Sequence, residues 1–187
     1  MAGATPAAQV SPVDDDDPAA HVAAVFGRIA ETRMAGLPLC NPALRVESVG
    51  FRRWEGVWLG ALITPWSISL MLLPGGSGTP DARFAGLQPG QKRDWRFPSG
   101  EYRFLANREP GLGDYQLCSL YSPVFEFPAQ AEARTMACAA LEALFADEAR
   151  LVALAACDVG HGGEGVATRA PLDRRGFLRA MLAGGRR

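Results

Sequence analysis

The sequence predicts an α+β domain, an antiparallel sheet with helices packed on one face and a tail at either end. Three observations predict it. A helical apolar stripe comes first, a block of strand-like runs punctuated by proline and glycine follows, and a second helical stripe comes last. No internal repeat is visible.

Residues 1–17 hold Ala, Pro, Gly, Gln and Ser, then Asp14 to Asp17, and read as a disordered acidic tail. Asp17-Pro18 starts a helix, with Asp as N-cap and Pro in the first turn. Val22, Val25, Phe26 and Ile29 form its apolar stripe, and Gly36 with Pro38 ends it. A first strand runs from Leu44 to Phe51 by alternation. Arg53-Trp54-Glu55-Gly56 is a turn, and Val57 to Thr64 is a largely buried strand. Pro65-Trp66 breaks the run, Ser67 to Leu73 continues extended, and Pro74-Gly75-Gly76 stops it.

Residues 75–93 are a long Gly/Pro-rich loop, the kind that is usually functional. Trp95 to Phe97 and Glu101 to Leu105 flank a hairpin turn at Pro98-Ser99-Gly100. Tyr115 to Tyr121 is a further strand, closed by Ser122-Pro123. From Pro128 the pattern is helical, with Ala133, Met136, Ala137, Ala140, Leu141, Leu144 and Phe145 on one side, a break near Asp147 and helical composition to about Cys157. The single domain is therefore 18–159. Residues 160–187 form a glycine linker and a basic tail.

Composition suits one soluble domain: 48% hydrophobic and 21% charged. The apolar run from Val57 to Leu73 is too polar, and too broken by Pro65, for a membrane span. The N-terminus shows no basic stretch followed by an apolar one, so a cytoplasmic location without stable membrane insertion is expected. Charge gathers at the ends, with the four aspartates near the start and six arginines after Gly160. The body carries no basic face of the kind that binds nucleic acid.

Cys40, Cys118, Cys138 and Cys157 make no CxxC pair, so neither a metal nor a cofactor is expected. His21 and His161 lie in the first helix and the linker, where neither serves a nucleophile, so no catalytic residues and no enzyme are expected. Gly75-Gly76-Ser77-Gly78 lacks the phosphate-binding pattern with lysine and reads as a turn. Cys118 has no nearby cation to stabilise a thiolate and reads as a core residue. Nothing brings Glu101 and Asp114 together as a carboxylate pair.

Aromatic residues beside prolines are the distinctive feature of the middle. Trp54, Trp58, Pro65 and Trp66 belong to one hairpin, and Tyr115, Tyr121, Phe125, Glu126 and Phe127 to another segment. Strand alternation buries about half of these rings and turns the rest outward. Outward aromatics with an acidic neighbour suit a peptide that is apolar and basic, and Glu126 can accept a bidentate arginine. In the tail, Asp173-Arg174-Arg175-Gly176-Phe177-Leu178-Arg179 resembles a twin-arginine export motif at the wrong end of a chain. Arg174, Arg175, Phe177 and Leu178 are candidates for mimicry of an exported client. A chance match in a basic amphipathic helix is the other reading.

Several ordered blocks resemble a known family. They are Asn41 to Glu47, Val49-Gly50-Phe51-Arg52, Trp54 to Gly60, Thr64-Pro65-Trp66, Leu72 to Gly75, Phe97 to Gly100, Leu112 to Leu120 and Ser122 to Phe127. Together they resemble the nickel-iron hydrogenase assembly chaperones called HybE, HupJ or HoxT. The resemblance implies a non-enzymatic accessory protein that binds hydrogenase small- or large-subunit precursors, with other hydrogenase accessory proteins as further partners. It implies contact with the twin-arginine signal of the small subunit until assembly is complete. The alternative it leaves open is a scaffold that assists cofactor delivery or protection through a cysteine thiol. Some relatives carry a rubredoxin domain; this chain lacks the paired CxxC segments of that domain.

Overall fold

The computed structural model describes residues 17–76 and 81–146. The acidic start of the chain, Cys157, the glycine linker and the 173–179 segment lie outside the described residues.

Helix α1 spans Ala19–Glu31 and helix α2 Gln130–Ala143. Between them run β1 (Glu47–Trp54), β2 (Val57–Thr64), β3 (Ser67–Pro74), β4 (Lys92–Phe97), β5 (Gly100–Glu109) and β6 (Gly113–Tyr121). All pairings are antiparallel, in the order β1-β2-β3-β6-β5-β4. Two three-stranded meanders are thus joined where β3 meets β6, with Leu70 opposite Cys118.

The antiparallel sheet and its two helices are as the sequence predicts, but the helices do not share a face. Leu59, Ala61 and Ile63 of β2 join Leu70 and Leu72 of β3 in one core, under Ala133, Ala137, Ala140 and Leu141 of α2. Leu62, Met71, Leu73 and Tyr115 pack with Val22 and Phe26 of α1 in a second core. Strand side chains alternate sides, so the two cores are the two faces of one sheet. The physical reason is in β2 and β3, which are buried at almost every position. Such unbroken apolar strands require cover on both faces. The alanines of α2 present little side chain to the sheet, which lets that helix lie close to it.

Several boundaries also move. Leu44 sits in a turn anchored on Asn41 rather than in a strand, through a hydrogen bond from its N–H to the Asn41 carbonyl. The β4–β5 hairpin is longer than predicted because charged pairs extend it, Asp94 with Arg103 among them. α2 gives way to a turn at 144–145, close to the expected break near Asp147.

Two glycines fit close approaches. Gly50 has φ +61° at the irregularity between Val49 and Arg52, and a Cβ there would lie 2.8 Å from Leu141 Cδ1. At Gly60 a Cβ would run into the Phe51 ring, which covers that position from β1.

The loop after β3 is held by chemistry that periodicity does not show. Arg83 pairs with Asp81 and donates to the Glu55 carbonyl, while Phe84 is buried in the α2-side core. The Arg83 hydrogen bonds hold the Asp81 carboxyl below its usual range. Gln116, fully buried, accepts from Trp95 Nε1 at 2.7 Å and donates to the Arg83 carbonyl at 2.7 Å.

Candidate functional site

The predicted aromatic residues fall into three groups. Trp54 is half-buried on the α2 face, stacked on Phe97 with ring centroids 4.2 Å apart. Tyr121 and Phe127 pack against the same core, their rings edge to face at 5.0 Å. Trp58, Trp66 and Tyr115 belong to the α1 face, where Tyr115 meets Phe26 edge to face and Arg53 lies over the Trp58 ring. The expected outward half of the rings is therefore largely covered, because α1 occupies the second face. Phe125 is the exception, 55% exposed, and Glu126 beside it is also exposed.

Phe125 has company that sequence reasoning missed. The large hydrophobic side chains exposed among the described residues are Leu37, Leu39 and Phe125. All three lie in segments that Asn41 joins. The buried Asn41 side chain donates from Nδ2 to the Val124 carbonyl at 2.9 Å and to the Phe127 carbonyl at 2.8 Å. Its Oδ1 accepts from the Ala43 N–H, and its own N–H donates to the Pro65 carbonyl at 2.7 Å. One asparagine thus clamps three segments: 37–44, the β2–β3 turn with Pro65 and Trp66, and 124–127.

The geometry follows from local sequence. The side chain of Asn41 replaces secondary-structure partners for carbonyls that no strand can reach, which keeps an irregular backbone satisfied. Leu39 is two residues before the clamp, and Phe125 lies between the two carbonyls it holds. Both are therefore fixed in place while their side chains meet solvent. Exposed apolar side chains gathered in one place mark interaction sites far more than scattered ones do.

Charge around this joint is acidic at one edge. Glu126 makes no ion pair among the described residues. Burial, and then the Glu126 charge, raise the phenol of neighbouring Tyr121 above its ordinary range. Glu47 nearby is occupied, accepting from Gln130 and Arg134.

The other candidates are placed as follows. Cys118 is buried opposite Leu70 in the core, as a packing residue should be. Cys40 is half-buried and donates to the Met34 carbonyl. No cluster of metal-ligating groups occurs among the described residues. His21 contacts the Gly111 carbonyl, which ties α1 to the β5–β6 turn. Glu101 and Asp114 stay apart: Asp114 pairs with Arg108, seven residues along β5 from Glu101, or roughly 23 Å of strand. No helix among the described residues is long and apolar enough to cross a membrane.

A family model described as "[NiFe]-hydrogenase assembly, chaperone, HybE" matches residues 17–180. That span includes the 173–179 segment. The hydrogenase expression/formation protein HoxT of Azotobacter vinelandii is 38% identical over 158 residues, covering 84% of this chain and 92% of that one. The probable rubredoxin HupJ of Rhodobacter capsulatus is 42% identical over 125 residues, 67% of this chain but 44% of that protein, so the chain spans less than half of that relative. The solution structure of HybE from Escherichia coli superposes with a TM-score of 0.55 at 26% identity, over 83% of this chain and 91% of that one.

Proposed function

Because the chain belongs to the HybE family of [NiFe]-hydrogenase assembly chaperones, we propose that it binds hydrogenase subunit precursors and holds them until assembly is complete. Its role lies in hydrogenase maturation, the process named for its relatives. The finer reading is that the small-subunit precursor is a client, engaged in the cytoplasm through its twin-arginine signal, and that the chain carries out no catalysis.

One observation supports this reading above the others: Leu37, Leu39 and Phe125 are exposed in segments that Asn41 joins, and Glu126 beside Phe125 makes no ion pair among the described residues. A twin-arginine signal offers paired guanidinium groups followed by apolar residues. Guanidinium and carboxylate form charge-assisted hydrogen bonds, and apolar side chains bury against a leucine–phenylalanine surface. The pairing of chemistries matches along one short stretch.

Co-purification tests the proposal. The full chain is expected to retain small-subunit precursor with its signal intact, and to lose it when both signal arginines are replaced by glutamine. Equal retention of precursor with and without the signal would place recognition elsewhere on the client. Retention of neither subunit precursor would end the proposal.

A further inference from the structure

We infer that the chain's own segment from Arg174 to Leu178 docks on the surface around Asn41, with Phe177 and Leu178 against Leu37, Leu39 and Phe125 and an arginine on Glu126. The inference rests on the proposed site and names a regulator of it. The segment would occupy the surface when no client is present and be displaced by one.

Four observations carry it. First, the segment offers Arg-Arg-Gly-Phe-Leu, a cationic pair followed by a large apolar pair. Second, the domain offers the complement: among the described residues the three exposed large hydrophobics all lie in segments that Asn41 joins, and the exposed acid Glu126 adjoins Phe125. Glu31, Glu55, Glu101, Glu132 and Glu142 are also exposed, but none of them is next in sequence to an exposed large hydrophobic. Third, the family match extends through residue 180, so the segment belongs to the part of the chain that the family shares.

Fourth, the connection is long enough. The described domain ends at Ala146, and Asp173 lies 27 residues beyond it. α2 begins beside the joint, where Gln130 accepts from the Arg45 N–H, and its 14 residues carry the chain away by roughly 21 Å. Twenty-seven residues can reach at most about 90 Å, several times the return distance. Tethering at such a span gives an effective concentration near ~1 mM. A segment with an intrinsic dissociation constant of ~0.1–1 mM would then lower a competing client's apparent affinity by about two- to ten-fold.

The test uses the full chain and a full-length variant carrying Arg174→Glu, Arg175→Glu and Phe177→Ser. Amide chemical shifts at Leu37, Leu39, Asn41, Phe125 and Glu126 are expected to differ between the two, while those at Trp54 and Asp94 stay in place. A synthetic peptide covering residues 171–181, added to the variant, should move the same resonances back. Client signal peptide should bind the variant about two- to ten-fold more tightly than the unaltered chain. Unchanged shifts around Asn41 would overturn the inference. So would shifts that scale with protein concentration, since these would assign the contact to a second copy. If the client peptide binds at the joint but the tail substitutions alter nothing, the tail inference fails and the client proposal stands. If the tail shifts appear and no client binds, the reverse holds.

Discussion

The Trp95 indole N–H and the Gln116 carboxamide meet at 2.7 Å inside the α2-side core, and Gln116 spends its other end on the Arg83 carbonyl. Both ends of one amide are satisfied, so its orientation is fixed. This bond links β4 to β6 and both to the loop that follows β3. Gln116→Leu keeps the volume but leaves an indole N–H and a carbonyl without partners. Each unpaired buried group costs about 1–3 kcal/mol, so a total loss of about 2–6 kcal/mol is expected in urea unfolding. Adding Trp95→Phe should recover part of it, because one orphaned donor is removed.

Asn41→Ala removes two donated hydrogen bonds, strands the Phe127 carbonyl and leaves the Val124 carbonyl with the Phe127 N–H alone. A loss of about 2–3 kcal/mol is expected, with faster amide exchange concentrated in 124–127 and the β2–β3 turn. Exchange that accelerates evenly over the whole sheet would mean that the clamp has no local role.

Leu39→Ser and Phe125→Ser change side chains that already meet solvent. Stability should stay within about 0.5 kcal/mol of the unaltered chain. Retention of precursor should nonetheless fall by roughly ten-fold or more, as expected for the apolar centre of an interface. Pull-down alongside a thermal melt separates the two effects.

Alkaline titration should single out Tyr115. Burial pushes its phenol up to about 12, from an ordinary value of 10.0. The folded-state pKa is raised, so its contribution is fully present below pH ~10 and is lost as pH rises through ~12. Stability should therefore decline in that window, and Tyr115→Phe should flatten the decline. Unfolding monitored by tryptophan fluorescence at pH 9, 10 and 11 would show it.

Replacing cysteines tests the alternative of thiol-assisted cofactor delivery. Cys118 is buried, so Cys118→Ala should cost about 1 kcal/mol or more through lost packing. Cys40→Ser should be nearly silent in stability. Hydrogenase maturation in cells should survive both replacements. Its loss with an intact fold would instead favour a thiol-dependent role.

The elements were largely legible in the sequence, because Val57 to Leu73 and the alanine stripe from Ala133 carry unambiguous patterns. The sidedness was not. Nothing in the Val22–Ile29 stripe says which face of the sheet it covers, and the deciding fact is that β2 and β3 are apolar on both sides. The site was legible in part. Phe125 and Glu126 stood out by their setting among prolines, and Trp66 and Pro65 lie at the same joint through the Asn41 clamp. Trp54, Trp58 and Tyr115 have the same composition but serve the two cores. Leu37 and Leu39 were overlooked because Gly36 and Pro38 read as helix terminators. A Leu-Pro-Leu run in a segment with no periodicity was the available signal. Asn41 itself gave none, since a carboxamide reaching 83 and 86 residues along the chain leaves no local pattern.

The join between β3 and β6 has a consequence for how the molecule is made. Pro74 and Gly113 bracket β4 and β5, so the centre of the sheet closes only after some forty residues have been added. Until then β3 leaves the ribosome with Leu70, Met71 and Leu72 along an unpaired edge. Pairings so distant in sequence form slowly, and an unpaired apolar strand is prone to aggregate. A protein that shelters unfinished partners thus passes through an unfinished state of its own. Its yield should respond to synthesis rate and to general chaperones more than its final stability suggests.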